Sequence, residues 1–172
     1  ADPFVITFNQ KTICFVEEFS KIQNKGKIAA IQLDEDKYNY LGVVLEENFH
    51  LSFPFTFISN NQIYMVPETS KIKEIRLYKC EKFPSKWSLV KILKKNVQAV
   101  DTMLIKRKEN WFMLTNICSS GIKECNSELH IYYSKELISD NWNEIECGNP
   151  VIFDSTFARN GGLYSYKNQL NH

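Results

Sequence analysis

The feature that most restricts this chain is that it repeats itself. Asp2-Pro3-Phe4-Val5-Ile6 through Ile13-Cys14-Phe15-Val16-Glu17 aligns without a gap on Phe53-Pro54-Phe55-Thr56-Phe57 through Tyr64-Met65-Val66-Pro67-Glu68. A third copy runs from Asp101-Thr102-Met103-Leu104-Ile105 through Phe112-Met113-Leu114-Thr115-Asn116. In each copy two short apolar runs flank a polar tip: Asn9-Gln10-Lys11, Ser59-Asn60-Asn61-Gln62 and Arg107-Lys108-Glu109-Asn110. That is the pattern of a β-hairpin. A further apolar run follows each hairpin, at Ile28–Leu33, Ile75–Cys80 and Leu129–Ser134, and reads as a third strand. Behind the last two, Trp87 and Trp142 each open a short fourth strand.

Four strands recurring about every 50 residues are the signature of propeller blades, which stack around an axis because one blade cannot bury both of its faces alone. The fold class is therefore all-β, a partial propeller of four-stranded antiparallel blades. A sandwich of two face-packed sheets would also accept short strands, but it does not account for specific residues recurring in register. The blades fall near 1–48, 49–98 and 99–157 of a single propeller region, with a fourth beginning at 158–172 around Ala158-Arg159-Asn160-Gly161-Gly162. An open propeller leaves unpaired edges, so either further blades or a second copy of the chain is expected to complete the ring.

Composition narrows the function classes. With 44% hydrophobic residues among 172, the chain has ample apolar surface for a core. Its 21 Lys+Arg balance 20 Asp+Glu, and no basic run gathers them, which argues against nucleic acid. No apolar stretch reaches the roughly 18 residues of a membrane span. The five cysteines, Cys14, Cys80, Cys118, Cys125 and Cys147, are odd in number and form no C-x-x-C pair. Reduced thiols and a cytoplasmic setting follow, although Cys118 and Cys125 flank one loop and admit a bridge. The three histidines, His50, His130 and His172, stand far apart without carboxylate or thiol at ligand spacing, so no metal site and no cofactor is expected beyond a divalent cation that funnel carboxylates could hold.

In an antiparallel hairpin the start of one strand lies beside the end of the next. Asp2 and Glu17 would thus share one edge of the first blade, His50, Ser52 and Glu68 that edge of the second, Asp101 and Asn116 that of the third, and Arg159 that of the fourth. Because the innermost strands line the channel, these groups would face one another around one funnel mouth. Acids, amides, an imidazole and a guanidinium both donate and accept hydrogen bonds, as sugar hydroxyls require. Phe4, Phe53, Phe55 and Trp111 would add apolar surface for a pyranose or pack between blades. Glycosidic cleavage would need two carboxyls, with Asp2 and either Glu68 or Asp101 as the pair. Equally, Glu17 and Glu68 could accept backbone N–H groups at strand ends, His50 could be a structural hydrogen bonder, and Arg159 could be a structural ion-pair partner of Asp2 or Asp101.

Several strings carry a family resemblance: Ala1-Asp2-Pro3-Phe4, Phe15-Val16-Glu17-Glu18-Phe19, Phe49-His50-Leu51-Ser52-Phe53-Pro54-Phe55, Met65-Val66-Pro67-Glu68-Thr69-Ser70 and Ala99-Val100-Asp101-Thr102. From Ala1 to about Gly162 the chain resembles the N-terminal propeller domain of the glucosamine inositolphosphorylceramide transferase family, a domain also found in bacterial proteins tied to surface-polysaccharide synthesis. More distantly it is similar to the five-bladed propeller glycosidases of the arabinanase, xylosidase and β-fructosidase groups. That resemblance implies a five-bladed type of propeller, with Asp2-Pro3 at the position of their base or nucleophile. It departs at Phe53, where many such enzymes carry an Asp, and at Asp101, near where they place a catalytic Glu. The expected function is a carbohydrate-active domain that acts on or recognises glycosides, using Asp2, Glu68 and Asp101 as working carboxylates with Glu17, His50, Ser52, Asn116 and Arg159 as substrate contacts. The alternative is a non-catalytic module that binds a saccharide or glycoconjugate, or scaffolds, beside a glycosyltransferase.

Overall fold

The computed structural model describes residues 1–118, 125, 127–162, 164–166 and 169–171. Among the described residues the strands form two four-stranded antiparallel sheets and one of five, each built on a four-strand meander. The first holds β1 (Phe4–Phe8), β2 (Lys11–Ser20), β3 (Lys25–Leu33) and β4 (Tyr38–Leu45). The second holds β5 (Ser52–Ser59), β6 (Gln62–Glu68), β7 (Glu74–Lys82) and β8 (Lys86–Lys95). The third holds β9 (Ala99–Arg107), β10 (Asn110–Ile117), β11 (Glu128–Ser134) and β12 (Asn143–Glu144), and β13 (Ile152–Phe153) also pairs with β11. A separate two-stranded hairpin joins β14 (Tyr164–Tyr166) to β15 (Gln169–Asn171). No α-helix occurs among the described residues.

The middle blade shows why the sheets fan instead of pairing as two layers. Along β6 alternate side chains point to opposite faces. Ile63 and Met65 enter the core shared with Ile13, Phe15 and Ile28 of blade one, while Val66 enters the core shared with Met103, Trp111 and Met113 of blade three. A sheet buried on both faces must be apolar on both, and this one is. In β7, Ile75 and Leu77 face blade three but Tyr78 and Cys80 face blade one. That is the ordinary alternation of a strand, odd positions turned to one neighbour and even positions to the other.

Blade one has its fourth strand in β4, without a Trp at its start. One sequence expectation needs correction. Cys118 and Cys125 are bridged, with Cα atoms 4.6 Å apart at the end of β10, so reduced thiols remain only at Cys14, Cys80 and Cys147. Among the described residues no helix is long and apolar enough to cross a membrane.

Candidate functional site

Each inner hairpin carries the same irregularity at its funnel end. In blade one, Phe4 pairs with Phe15 and Ala1 exchanges both backbone bonds with Glu17 (2.9 and 3.0 Å), so Asp2-Pro3 faces Val16 alone. In blade two, Phe55 pairs with Val66 and Ser52 with Glu68, leaving Phe53-Pro54 opposite Pro67. In blade three, Met103 pairs with Leu114 and Val100 with Asn116, leaving Asp101-Thr102 opposite Thr115. These are bulges of two residues against one, and their first residues are all left-handed: φ is 50° at Asp2, 43° at Phe53 and 50° at Asp101. A bulge re-aims a side chain, and here it turns the first residue of each blade toward the mouth. Aspartate tolerates this conformation comparatively well, while for a bulky phenyl it is an outlier.

Around this mouth stand three carboxyls and one guanidinium. Asp101 is buried, and Arg159 Nε donates to its Oδ2 at 2.7 Å. Burial pushes the Asp101 carboxyl up, the Arg159 hydrogen bond and charge pull it down, and the negative charge of Asp2 pushes it up again. For Glu68 burial is again the largest influence and raises it. The Ser70 hydroxyl, donating at 2.7 Å, and the Asp101 backbone N–H stabilise its anion, while the charges of Asp101 and Asp2 oppose it. Arg159 is held protonated by Asp101 above all, with Asp2 and Glu68 adding to the effect. A cavity of about 410 Å³ opens here, lined by Asp2, Pro3, Phe4, Phe53, Arg159, Asn160 and Gly161. A second of about 780 Å³ continues past Phe4, Phe55 and Phe157. Both lie within the size range of small-molecule sites.

The other singled-out residues sit differently. Asn116 is fully buried beneath the mouth: its Nδ2 donates to Ala158 O (2.8 Å) and Glu128 O (3.2 Å), and its Oδ1 accepts Asn160 N–H (3.3 Å). His50 Nδ1 accepts the Gly26 N–H at 2.9 Å and its Nε2 lies 3.6 Å from Glu17 Oε1, so this pair stands at the junction of blades one and two. Ser52 is buried in the ladder opposite Glu68. Of the aromatics, Phe53, Phe55 and Trp111 are core. Phe4, half-buried, meets Phe53 edge-on at 4.8 Å and forms the apolar wall of the cavity. Sequence reasoning passed over Asn160, buried with its Nδ2 donating to Asp101 O at 2.8 Å; its place just after Arg159 was the available signal. Among the described residues no group of three or more His, Cys, Asp or Glu could hold a metal ion, and His172 lies outside them.

The comparisons with known proteins agree with this architecture. The family described as glucosamine inositolphosphorylceramide transferase 1, N-terminal, matches residues 1–172. The chain belongs to that family. Within it, the chain is 35% identical over 175 aligned positions to glucosamine inositolphosphorylceramide transferase 1 of Oryza sativa subsp. japonica, covering 99% of this chain and 23% of the relative. It is 34% identical over 166 positions to the protein of that name in Arabidopsis thaliana, covering 94% and 21%. The chain thus spans under a quarter of these relatives. Among solved structures, the α-L-arabinanase of Penicillium chrysogenum, complexed with arabinobiose, superposes with a TM-score of 0.66 at 10% identity over 94% of this chain and 52% of that one. An exo-1,5-α-L-arabinanase from a bovine ruminal metagenomic library does so with 0.64 at 13% identity over 98% and 65%. These likenesses establish the fold, a five-bladed type of propeller.

Proposed function

We propose that this domain of the transferase family recognises a saccharide portion of a glycoconjugate at the funnel mouth, as a binding module beside a glycosyl-transferring activity. The observation that carries the reading is the gathering of Asp2, Glu68, Asp101 and Arg159, near enough to feel one another's charge, beside a cavity that Asp2, Arg159 and the aromatic wall of Phe4 line. Such a mouth offers hydroxyl groups both donors and acceptors, and offers a ring face an apolar surface. Recognition is favoured over hydrolysis because Asp101 is tied to Arg159, Glu68 already accepts the Ser70 hydroxyl, and Phe53 stands where the neighbouring blades present Asp.

Titration calorimetry with glucosamine, N-acetylglucosamine, inositol and arabino-oligosaccharides tests the reading. At least one should bind wild type, and Asp2→Asn together with Asp101→Asn should weaken it tenfold or more, about 1.4 kcal/mol. Wild type that binds none of them, nor any glycan on a broader array, sinks the proposal.

One feature supports a catalytic second reading. Burial holds the Glu68 carboxyl up and the negative charge of Asp2 adds to that, and glycosidases use a carboxyl raised in this way as the acid of a carboxylate pair. In that scheme Glu68 gives its proton to the departing glycosidic oxygen and Asp2 takes a proton from the attacking water. Turnover of aryl glycosides by wild type, abolished in Asp2→Asn, would establish it. Binding without turnover leaves the module reading.

A further inference from the structure

We propose that Asn116 is the positioning residue of the funnel mouth: by holding the backbone on both sides of Arg159 it fixes that guanidinium against Asp101. Arg159 has an exposed side chain, 62% accessible, while its neighbours Ala158 and Asn160 are 0% and 2% exposed. A long side chain in water gains little from an ion pair unless its backbone is fixed, because side-chain entropy opposes the pairing. Asn116 supplies the fixing. Its amide donates to Ala158 O at 2.8 Å and its carbonyl oxygen accepts the Asn160 N–H at 3.3 Å, so one buried side chain brackets Arg159. Asn160 then adds a bond of its own, from Nδ2 to Asp101 O at 2.8 Å.

The blade repeat explains why the residue type matters. One blade earlier the equivalent position is Glu68, whose carboxylate accepts the Ser70 hydroxyl at 2.7 Å. Asn116 instead accepts the backbone N–H of Asn160 at 3.3 Å. At the earlier junction acceptance suffices, and a carboxylate serves. At the later one the Asn116 side chain also donates to the carbonyls of Ala158 and Glu128, and an amide donates and accepts at once where a carboxylate only accepts. Asn116 therefore acts on the mouth through Arg159, without facing the funnel itself.

This inference deepens the proposed function, but its test needs no sugar. The Asp101 carboxyl is followed by carbon NMR across pH in wild type, Arg159→Gln, Asn116→Ala and the double variant. Loss of the guanidinium should move the Asp101 midpoint up by about one pH unit or more. Asn116→Ala should move it up by a similar amount, and the double variant should add nothing further. A folded Asn116→Ala that keeps the wild-type midpoint overturns the inference, as does a double variant whose shift is the sum of the two. Should Asn116→Ala not fold, amide exchange in wild type decides: the Asn160 N–H should exchange at least about tenfold more slowly than that of Gly161. Equal rates overturn the proposal. Failure of wild type to bind any saccharide bears only on the proposed function, since the Asp101 titration is read without ligand.

Discussion

Asp2 and Asp101 hold the same backbone position two blades apart, each the first residue of a two-against-one bulge with φ at 50°. The equivalence has an electrostatic consequence, because the charge of Asp2 reaches both Asp101 and Glu68. Repetition of one local irregularity is thus enough to bring acids nearly a hundred residues apart in sequence to a single opening. Phe53 occupies the same place in the blade between them, where its ring packs edge-on against Phe4 instead of adding a third acid.

Phe53 should behave unlike an ordinary strand residue. Its backbone is left-handed at φ 43°, where every side chain beyond glycine is penalised by about 1 kcal/mol or more. Truncation removes a phenyl ring that is 4% exposed, so Phe53→Ala is expected to lose roughly 3–5 kcal/mol. Phe53→Gly should lose about 1 kcal/mol less, although in a regular strand glycine is the worse of the two by ~0.5–1 kcal/mol. Urea midpoints of the two variants check the order. Alanine equal to glycine or better would remove the case for stored backbone strain at this bulge.

The sequence made the inner hairpins legible because each blade builds them from the same alternation, Ile13 and Phe15 in one, Ile63 and Met65 in the next. Hairpin geometry also suffices to set strand starts beside strand ends, which is how Asp2, Glu68 and Asp101 come to one mouth. The bulges were not legible. They insert no gap into the alignment of the copies, since all three blades carry the same extra residue. Nor could the orientation of Asn116 be read, because its partners Ala158 and Asn160 lie more than forty residues downstream and only tertiary packing brings them under it. The place of strand β4 within blade one is weakly marked in the sequence because its side chains are largely exposed and Gly42, at φ 95°, interrupts the apolar pattern.

Thiol chemistry separates the five cysteines. Cys147 is exposed, Cys14 is buried, and burial raises the Cys14 and Cys80 thiols, the latter to about 11. Since the thiolate is the reactive form, a folded sample at neutral pH should show one rapidly titrating thiol. Denaturation without reductant should release two more, and reduction should release the remaining pair from Cys118 and Cys125. Five thiols in denaturant without reductant would contradict the bridge.

Gly26 sits where blades one and two close at the mouth. Its N–H donates to His50 Nδ1 at 2.9 Å and its carbonyl accepts the Leu51 N–H at 3.0 Å. A Cβ there would lie 2.3 Å from Leu51 O and 2.7 Å from Glu17 Oε1, and a backbone oxygen cannot rotate away. Gly26→Ala should therefore destabilise by about 3 kcal/mol or more, lowering the melting temperature by roughly 10 °C in a domain of this size. Gly161→Ala, whose added carbon meets nothing within 4 Å, is the matched control and should melt close to wild type. Equal melting of the two variants would mean that the blades do not close as tightly at this junction.

The acidic mouth should weaken the fold as pH rises. Burial holds the Glu68 carboxyl above its ordinary 4.5, and that of Asp101 above 3.8 despite Arg159. A carboxyl raised in the folded state binds more protons folded than unfolded, so its contribution to stability is greatest below the unfolded value and is lost as pH climbs through the folded one. Glu68→Gln removes that loss while keeping an oxygen to accept the Ser70 hydrogen bond. At about pH 4 the variant and wild type should melt together, whereas near pH 7 the variant should melt higher by roughly 2–4 °C, the effect of about 1 kcal/mol at this chain length. Calorimetric scans across that range provide the check. If the gap stays constant with pH, or closes as pH rises, Glu68 is ionised as freely as a surface carboxylate. It would then be no candidate for the proton-donating partner of Asp2.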